Sequence, residues 1–139
     1  MKILTENIQV STKGHNQIID ITNDVEAIIK KSGITDGMAN LFVVGSTAGI
    51  TTIEYEPGLL KDLLETLDKI APMNKRYHHD DAWGDGNGYA HIRASLLGAS
   101  ITIPITDATM TLGTWQQVIL VDFDNRARER KIICKIMGE

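Results

Sequence analysis

The sequence predicts an α+β fold, a mostly antiparallel β-sheet subunit carrying two main helices. Three observations carry this. Leucines at 59, 60, 63, 64 and 67, with Ile70, repeat at the i, i+3, i+4, i+7 spacing of one helix face. The second half of the chain reads as short strand-like runs: YAHIRASLLG, ASITIPIT, TWQQVILVDF and RERKIICKIM. Only brief turn signals separate these runs (Gly98, Asp107, Asp122 to Asn125), too short for the crossovers that parallel strands require.

Taken in order, KILTENIQVSTKGHNQIIDIT gives two short strands joined in hairpin fashion at Lys13-Gly14-His15-Asn16. TNDVEAIIKKSG then predicts the first helix, with Asn23 and Glu26 as a capping box, Val25, Ile28 and Ile29 as the apolar stripe, and Gly33 as the stop. GMANLFVVGSTAGITTIEYE gives two strands around the polar break Gly45-Ser46-Thr47. Pro57 opens the leucine-rich helix and Pro72 lies just past its end. With the later runs, about eight strands accompany two helices.

The 139 residues, 42% hydrophobic and 23% charged, are bounded as one domain over 1–139, large enough to bury a core without disulfides. A net charge of −4 argues against nucleic acid as the main partner. No apolar run reaches membrane-spanning length and the N-terminus is charged and alternating, so no membrane partner and a cytoplasmic location are expected. Cys134, the single cysteine, sits in a strand-like run and reads as a core thiol.

The chemistry-bearing stretch is HHDDAWGDGNGYAH, residues 78–91, which holds three of the four histidines. Read as a strand, YAHIRASL puts Ala90, Ile92, Ala94 and Leu96 on one face and Tyr89, His91, Arg93 and Ser95 on the other. His79 and His91 can then supply two nitrogen ligands to zinc or magnesium, with Asp80, Asp81, Asp85 or Glu54 giving an oxygen ligand or polarising a bound water. The spacing matches neither H-E-x-x-H nor an EF-hand, and Gly84-Asp85-Gly86-Asn87-Gly88 is not a dinucleotide fingerprint. A solvated glycine turn with surface histidines explains the same residues. His15 and His78 carry less signal, one in an expected turn and the other a neighbour of His79.

Elsewhere, Ser46 and Thr47 lie in a small-residue turn suited either to a ligand phosphate or to a tight reversal. Arg126, Arg128 and Arg130 alternate, which aligns three guanidiniums to clamp phosphates or to guard an exposed strand edge. Trp115 reads as core or subunit interface.

Taken together, GSTAGITTIEYEPG, HDDAWGDGNGYAHIRASLLGASITIPI, LGTWQQVILVDFD and RARERK resemble the YjbQ family nearly end to end, most specifically over residues 86–120. The resemblance implies an α+β subunit assembling as a homotrimer, with sites near subunit contacts, and a secondary thiamine phosphate synthase activity has been linked to the family. It maps onto His79 before the glycine-rich stretch, His91 in the Ala-His segment, Asn87 in Gly-Asn-Gly, Arg128 and Arg130 after the Trp-Gln strand, and Glu54 after the Thr-rich strand. Three positions depart: Gly45 and Tyr89 stand where relatives carry histidine, and Ala108 stands where glycine commonly follows Asp107.

Three functions follow as expectations. The first is a metal-assisted enzyme on phosphorylated metabolites, joining a pyrimidine pyrophosphate to a thiazole phosphate. Here His79 and His91 hold the ion, Ser46, Thr47, Arg128 and Arg130 hold phosphates, and Asp85, Asn87 and Glu54 form the catalytic set. The second is a metal-dependent hydrolase with Asp85 or Glu54 as general base. The third is a non-catalytic trimeric binding protein for a small anionic metabolite.

Overall fold

Alternation of apolar and polar residues along the long strands sorts the chain into layers. In the computed structural model, which describes residues 1–139, the elements run β1 (Lys2–Thr12), β2 (Gln17–Asp20), α1 (Thr22–Ser32), β3 (Asp36–Val44), β4 (Ala48–Glu54) and α2 (Pro57–Ile70). They continue with α3 (His78–Trp83), α4 (Gly88–Leu97), β5 (Ser100–Thr106), β6 (Thr109–Met110), β7 (Gln116–Asp122) and β8 (Arg128–Gly138). All pairings are antiparallel, in one sheet ordered β1-β8-β3-β5-β6 and a second ordered β2-β7-β4. The α+β class and the antiparallel sheets are as expected; the helices number four rather than two.

The larger core lies between the two sheets, where Leu41, Val43, Ile103, Ile132, Cys134 and Ile136 meet Ile50, Val118 and Leu120, with Val25 and Ile29 of α1 beside them. The opposite face of the small sheet presents Ile119, Val121 and Phe123 to Leu67 of α2 and to Tyr89, Ala90 and Ala94 of α4. The outer face of the large sheet has no helix over it, leaving Met38, Phe42 and Val44 exposed. No helix is long and apolar enough to cross a membrane.

Several local expectations are corrected. The Lys13–Asn16 turn does not close a hairpin: β1 pairs β8 while β2 pairs β7. Three successive residues with positive φ, Gly14, His15 and Asn16, swing the chain from one sheet to the other. Helix α1 begins at Thr22, whose backbone N–H donates to Asp20 Oδ1 at 3.0 Å; Glu26 instead accepts from Met110 N at 3.2 Å, so there is no Asn23–Glu26 capping box. Gly33 does end α1 in the left-handed region, and Pro57 does open α2, capped by Glu56.

The largest correction concerns YAHIRASLL, which is helix α4 rather than a strand. Its buried positions are Gly88, Tyr89, Ala90, Arg93 and Ala94, a helical stripe covering the small sheet, while Ile92 and Leu96 are exposed. Counting Arg93 as a solvent-facing residue produced the false alternation. Its side chain is 1% exposed; Nε donates to Ala71 O, Nη1 to Asn16 Oδ1 and Nη2 to Asp68 Oδ1, and the guanidinium stacks over the Tyr89 ring. HHDDAW, expected as part of a loop, is the short helix α3. Trp115 is 72% exposed and precedes β7, so it is not core. Cys134 is buried, and burial pushes its thiol up to about 11, as a core thiol requires.

Candidate functional site

The site lies where β3 passes to β4, β7 passes to β8, and α3 meets the start of α4. Asp80 fixes the last of these junctions: its carboxylate accepts from Tyr77 N and from Gly88 N, tying both helix starts together. Gly88 is required there, since a Cβ would sit 2.4 Å from Tyr77 Cβ. This arrangement brings His79 of α3 against His91 of α4, their ring centroids 4.3 Å apart and tilted by 38°.

Beneath the histidines is a buried acidic pair that sequence reasoning treated only as turn residues. Asp122 accepts from Arg130 Nε and Nη2 at 2.7 and 2.8 Å and from Thr12 Oγ1 at 2.5 Å. Asp124 accepts from Asn87 Nδ2 at 3.2 Å, Thr47 Oγ1 at 2.9 Å, Arg128 Nε at 2.8 Å and Asn125 N at 2.8 Å. Burial alone would raise the Asp124 carboxyl; the bonds from Asn87, Asn125, Thr47 and Arg128 outweigh it and bring the group to about 2. Burial likewise works to raise Asp122, and Arg130, Thr12 and Asp124 N hold it below its ordinary value. The signal for this layer was readable: Asp122 and Asp124, two residues apart after an apolar strand, match the spacing of Arg128 and Arg130.

These residues surround a pocket of about 320 Å³, lined by Gly45, Ser46, Thr47, His79, Trp83, Asp85, Asn87, His91, Arg128 and Arg130. Eight of the nine candidate residues read from the sequence therefore meet at one place. Glu54 does not: it lies with Asp20, Tyr55 and Trp115 along a separate depression. Asp81 pairs with Arg76 and Asp80 is engaged as above, so Asp85 is the carboxylate of that stretch left to line the pocket. Nor is the arginine row a strand edge, because β8 runs between β1 and β3; Arg126 precedes the strand, exposed, while Arg128 and Arg130 point inward.

Hydrogen bonding separates free groups from committed ones. Thr47 Oγ1 gives its proton to Asp124 and accepts from Arg130 Nη2 at 2.6 Å, so its hydroxyl braces the arginine. Asn87 is 3% exposed, and Asp124 fixes its amide orientation because a flipped oxygen would face a carboxylate. Ser46 is exposed and its hydroxyl has no partner within the chain, while Arg128 and Arg130 each keep Nη1 unengaged. Gly45 has φ +133°, and a Cβ there would lie 2.7 Å from Arg130 Nη1, so this glycine leaves room for the guanidinium tip.

The histidines are the titratable centre. Burial first, and His79 second, hold His91 below its ordinary value, against the attraction of Asp124 and Asp85. Nδ1 of His79 and Oδ1 of Asn87 are buried without a partner. The two imidazoles fit half of a zinc shell, and no group of three or more His, Cys, Asp or Glu side chains is gathered for a metal. Tyr89 sits in the smaller core and does not line the pocket.

Comparison with known proteins places this architecture. The family model described as UPF0047 protein YjbQ-like matches residues 6–139. The UPF0047 protein YugU of Bacillus subtilis is 35% identical over 136 residues, covering 97% of this chain and all of the relative, and a UPF0047 protein of Methanothermobacter thermautotrophicus is 34% identical, covering 100% and 95%. Among solved structures, a YbjQ-like protein of unknown function from Sulfolobus solfataricus superposes with a TM-score of 0.93 at 36% identity, covering 99% of both chains. An uncharacterized YjbQ/UPF0047 protein from Clostridium acetobutylicum gives 0.87 at 41% identity, covering 95% and 99%. With the fold matched from end to end and the sequence matched from residue 6 onward, the chain belongs to the YjbQ (UPF0047) family.

Proposed function

We propose that this pocket binds a phosphorylated small metabolite and that the protein is a metal-assisted enzyme acting on it. The observation that carries the reading is the charge arithmetic of the site. Three carboxylates (Asp85, Asp122, Asp124) meet two guanidiniums (Arg128, Arg130), so these five groups are net negative while the free donors, Arg128 Nη1, Arg130 Nη1 and Ser46, suit phosphate oxygens. A further cation there would favour a bound phosphate. His79 and His91, close together, are the residues that would hold a divalent ion, zinc or magnesium, with ligand or water oxygens completing its shell.

When bound, such an ion would offset charge developing on a phosphate or pyrophosphate oxygen. The chain's own residues do the rest. Arg128 and Arg130, held rigid by Asp124 and Asp122, orient the phosphate; Asn87 and Thr47 keep Asp124 in place and Thr12 keeps Asp122; Asp85 stands free to accept a proton. Within this reading, the reaction implied by the family resemblance is the joining of a pyrimidine pyrophosphate to a thiazole phosphate, the new carbon–nitrogen bond replacing the carbon–oxygen bond to the pyrophosphate, which leaves. Glu54, remote from the pocket, has no part in it.

The homotrimer belongs to the same proposal, supported by the uncovered sheet face bearing Met38, Phe42 and Val44. A reduced core thiol and a phosphorylated ligand accord with a cytoplasmic setting. The test is elemental analysis and calorimetry of untagged protein with inorganic phosphate. Near-stoichiometric metal and phosphate binding, both lost in His79→Ala/His91→Ala and unchanged in Glu54→Gln, support the reading. Metal content equal in the double variant refutes the ion site. Light scattering of the wild type beside Phe42→Lys decides the oligomer.

A further inference from the structure

Resting on the reading of His79 and His91 as ligands of an ion, we infer that Asn87 Oδ1 is the third protein donor, so that the chain selects a transition ion of the zinc class over magnesium. Asn87 stands at the start of α4 and His91 one turn further on, where the His91 backbone N–H donates to Asn87 O at 3.3 Å. Residues four apart share one helix face, the spacing that sets two metal ligands side by side in H-E-x-x-H helices. His79 comes to His91 from α3, the ring centroids 4.3 Å apart. All three side chains line the pocket.

The amide leaves one of its bonds unmade. Its Nδ2 donates to Asp124 Oδ1 at 3.2 Å, which turns Oδ1 away from that carboxylate. Asn87 is 3% exposed, and Oδ1 has no donor within the chain. A buried amide oxygen in this condition costs free energy until a donor or a cation reaches it. His79 Nδ1 is likewise buried and unpartnered. Both atoms are closed to water, which favours a bare ion: zinc bonds at roughly 2 Å, whereas a water needs about 2.8 Å. Two imidazoles suit zinc and its neighbours, while magnesium asks for oxygen ligands and keeps several waters. None of the three donors is anionic, so the ion keeps its double charge to offset Asp85, Asp122 and Asp124 and to attract a phosphate.

Zinc affinity of the whole protein, read by competition with a chromophoric chelator in phosphate-free buffer, tests this. Asn87→Ala removes the amide oxygen together with a bond to Asp124; Thr47→Val removes another donor of that carboxylate and leaves Asn87 in place. The first should weaken zinc at least about tenfold more than the second, and an excess of magnesium should not displace zinc from the wild type. Asn87→Ser, whose hydroxyl keeps a donor near Asp124, should show the same loss and serves if the alanine variant does not fold. Equal zinc affinities in the folded Asn87 and Thr47 variants, or displacement of zinc by magnesium, overturn the inference and leave the histidine pair standing. A wild type that takes up no zinc overturns the ion site and the inference with it.

Discussion

His79 and His91 stand twelve residues apart in sequence and 4.3 Å apart between ring centroids, brought together because α3 and α4 start from a common carboxylate, Asp80. Burial and the neighbouring imidazole both disfavour charge on His91. A depressed histidine stabilises the fold fully above its unfolded value, near pH 6.5, and that contribution fades as pH falls through the folded value. In metal-free protein, His91 should titrate below 6.5 by NMR. In His79→Phe it should move up but stay depressed, because burial is the larger cause. A His91 titration at or above 6.5 in the wild type removes the pair from this description.

Asp124 should be the most acid-sensitive strut of the site. Its carboxyl is depressed from 3.8 to about 2, so its contribution is present above pH 4 and is lost as pH falls from there towards 2. The shift corresponds to roughly 2 kcal/mol. Asp124→Asn removes a buried charge that serves Arg128, Thr47 and Asn87, and at pH 7 should cost about 3 kcal/mol. Urea denaturation across pH checks both statements. The variant should also show a shallower acid slope; a slope equal to that of the wild type counts against the assignment.

How far the sequence led can be judged from the same residues. The leucine helix, Gly33, Pro57 and the late strands were legible because periodicity and caps act locally. The convergence of Ser46, Asp85, Asn87, His91 and Arg128 was legible as residue types, and their meeting is set by long-range strand pairing. Helix α4 was not legible: a buried arginine mimics a solvent-facing position, and only Asp68, Asn16 and Ala71, distant in sequence, make its burial tolerable. Glu54 stands apart from the other candidates because of its place along the strand. It ends β4 on the far side of the small sheet's length from Ala48, which begins the strand beside the pocket.

The turn between β5 and β6 carries a local conflict. Asp107 and Ala108 both have positive φ, 50° and 61°, between the paired residues Thr106 and Thr109. Alanine in the left-handed region is strained where glycine is not. Ala108→Gly should therefore stabilise the protein by about 0.5 kcal/mol or more, raising the melting temperature by a few degrees. Calorimetric melting of the two proteins measures it. A lower melting temperature would mean that the Ala108 methyl makes packing contacts worth more than the strain.

The Arg130–Asp122 pair separates stability from function. Arg130 spends Nε and Nη2 on Asp122, and Thr12 completes that carboxylate's partners between the two sheets. Arg130→Met leaves a buried, under-compensated carboxylate, and Asp122→Leu leaves a guanidinium with only Thr47 and the more distant Asp124, 3.9 Å away; each should cost about 3 kcal/mol or more. The double variant removes both charges and should recover at least about 1 kcal/mol relative to the sum of the singles. It should not recover phosphate binding, because Arg130 Nη1 beside Gly45 is gone while the fold is restored. A double-mutant cycle by urea denaturation, run beside phosphate calorimetry, reads the two effects independently. Additive stabilities would show that the buried pair is not coupled. Undiminished phosphate affinity in the folded double variant would show that Arg130 serves only the core, leaving Arg128 as the pocket's cation.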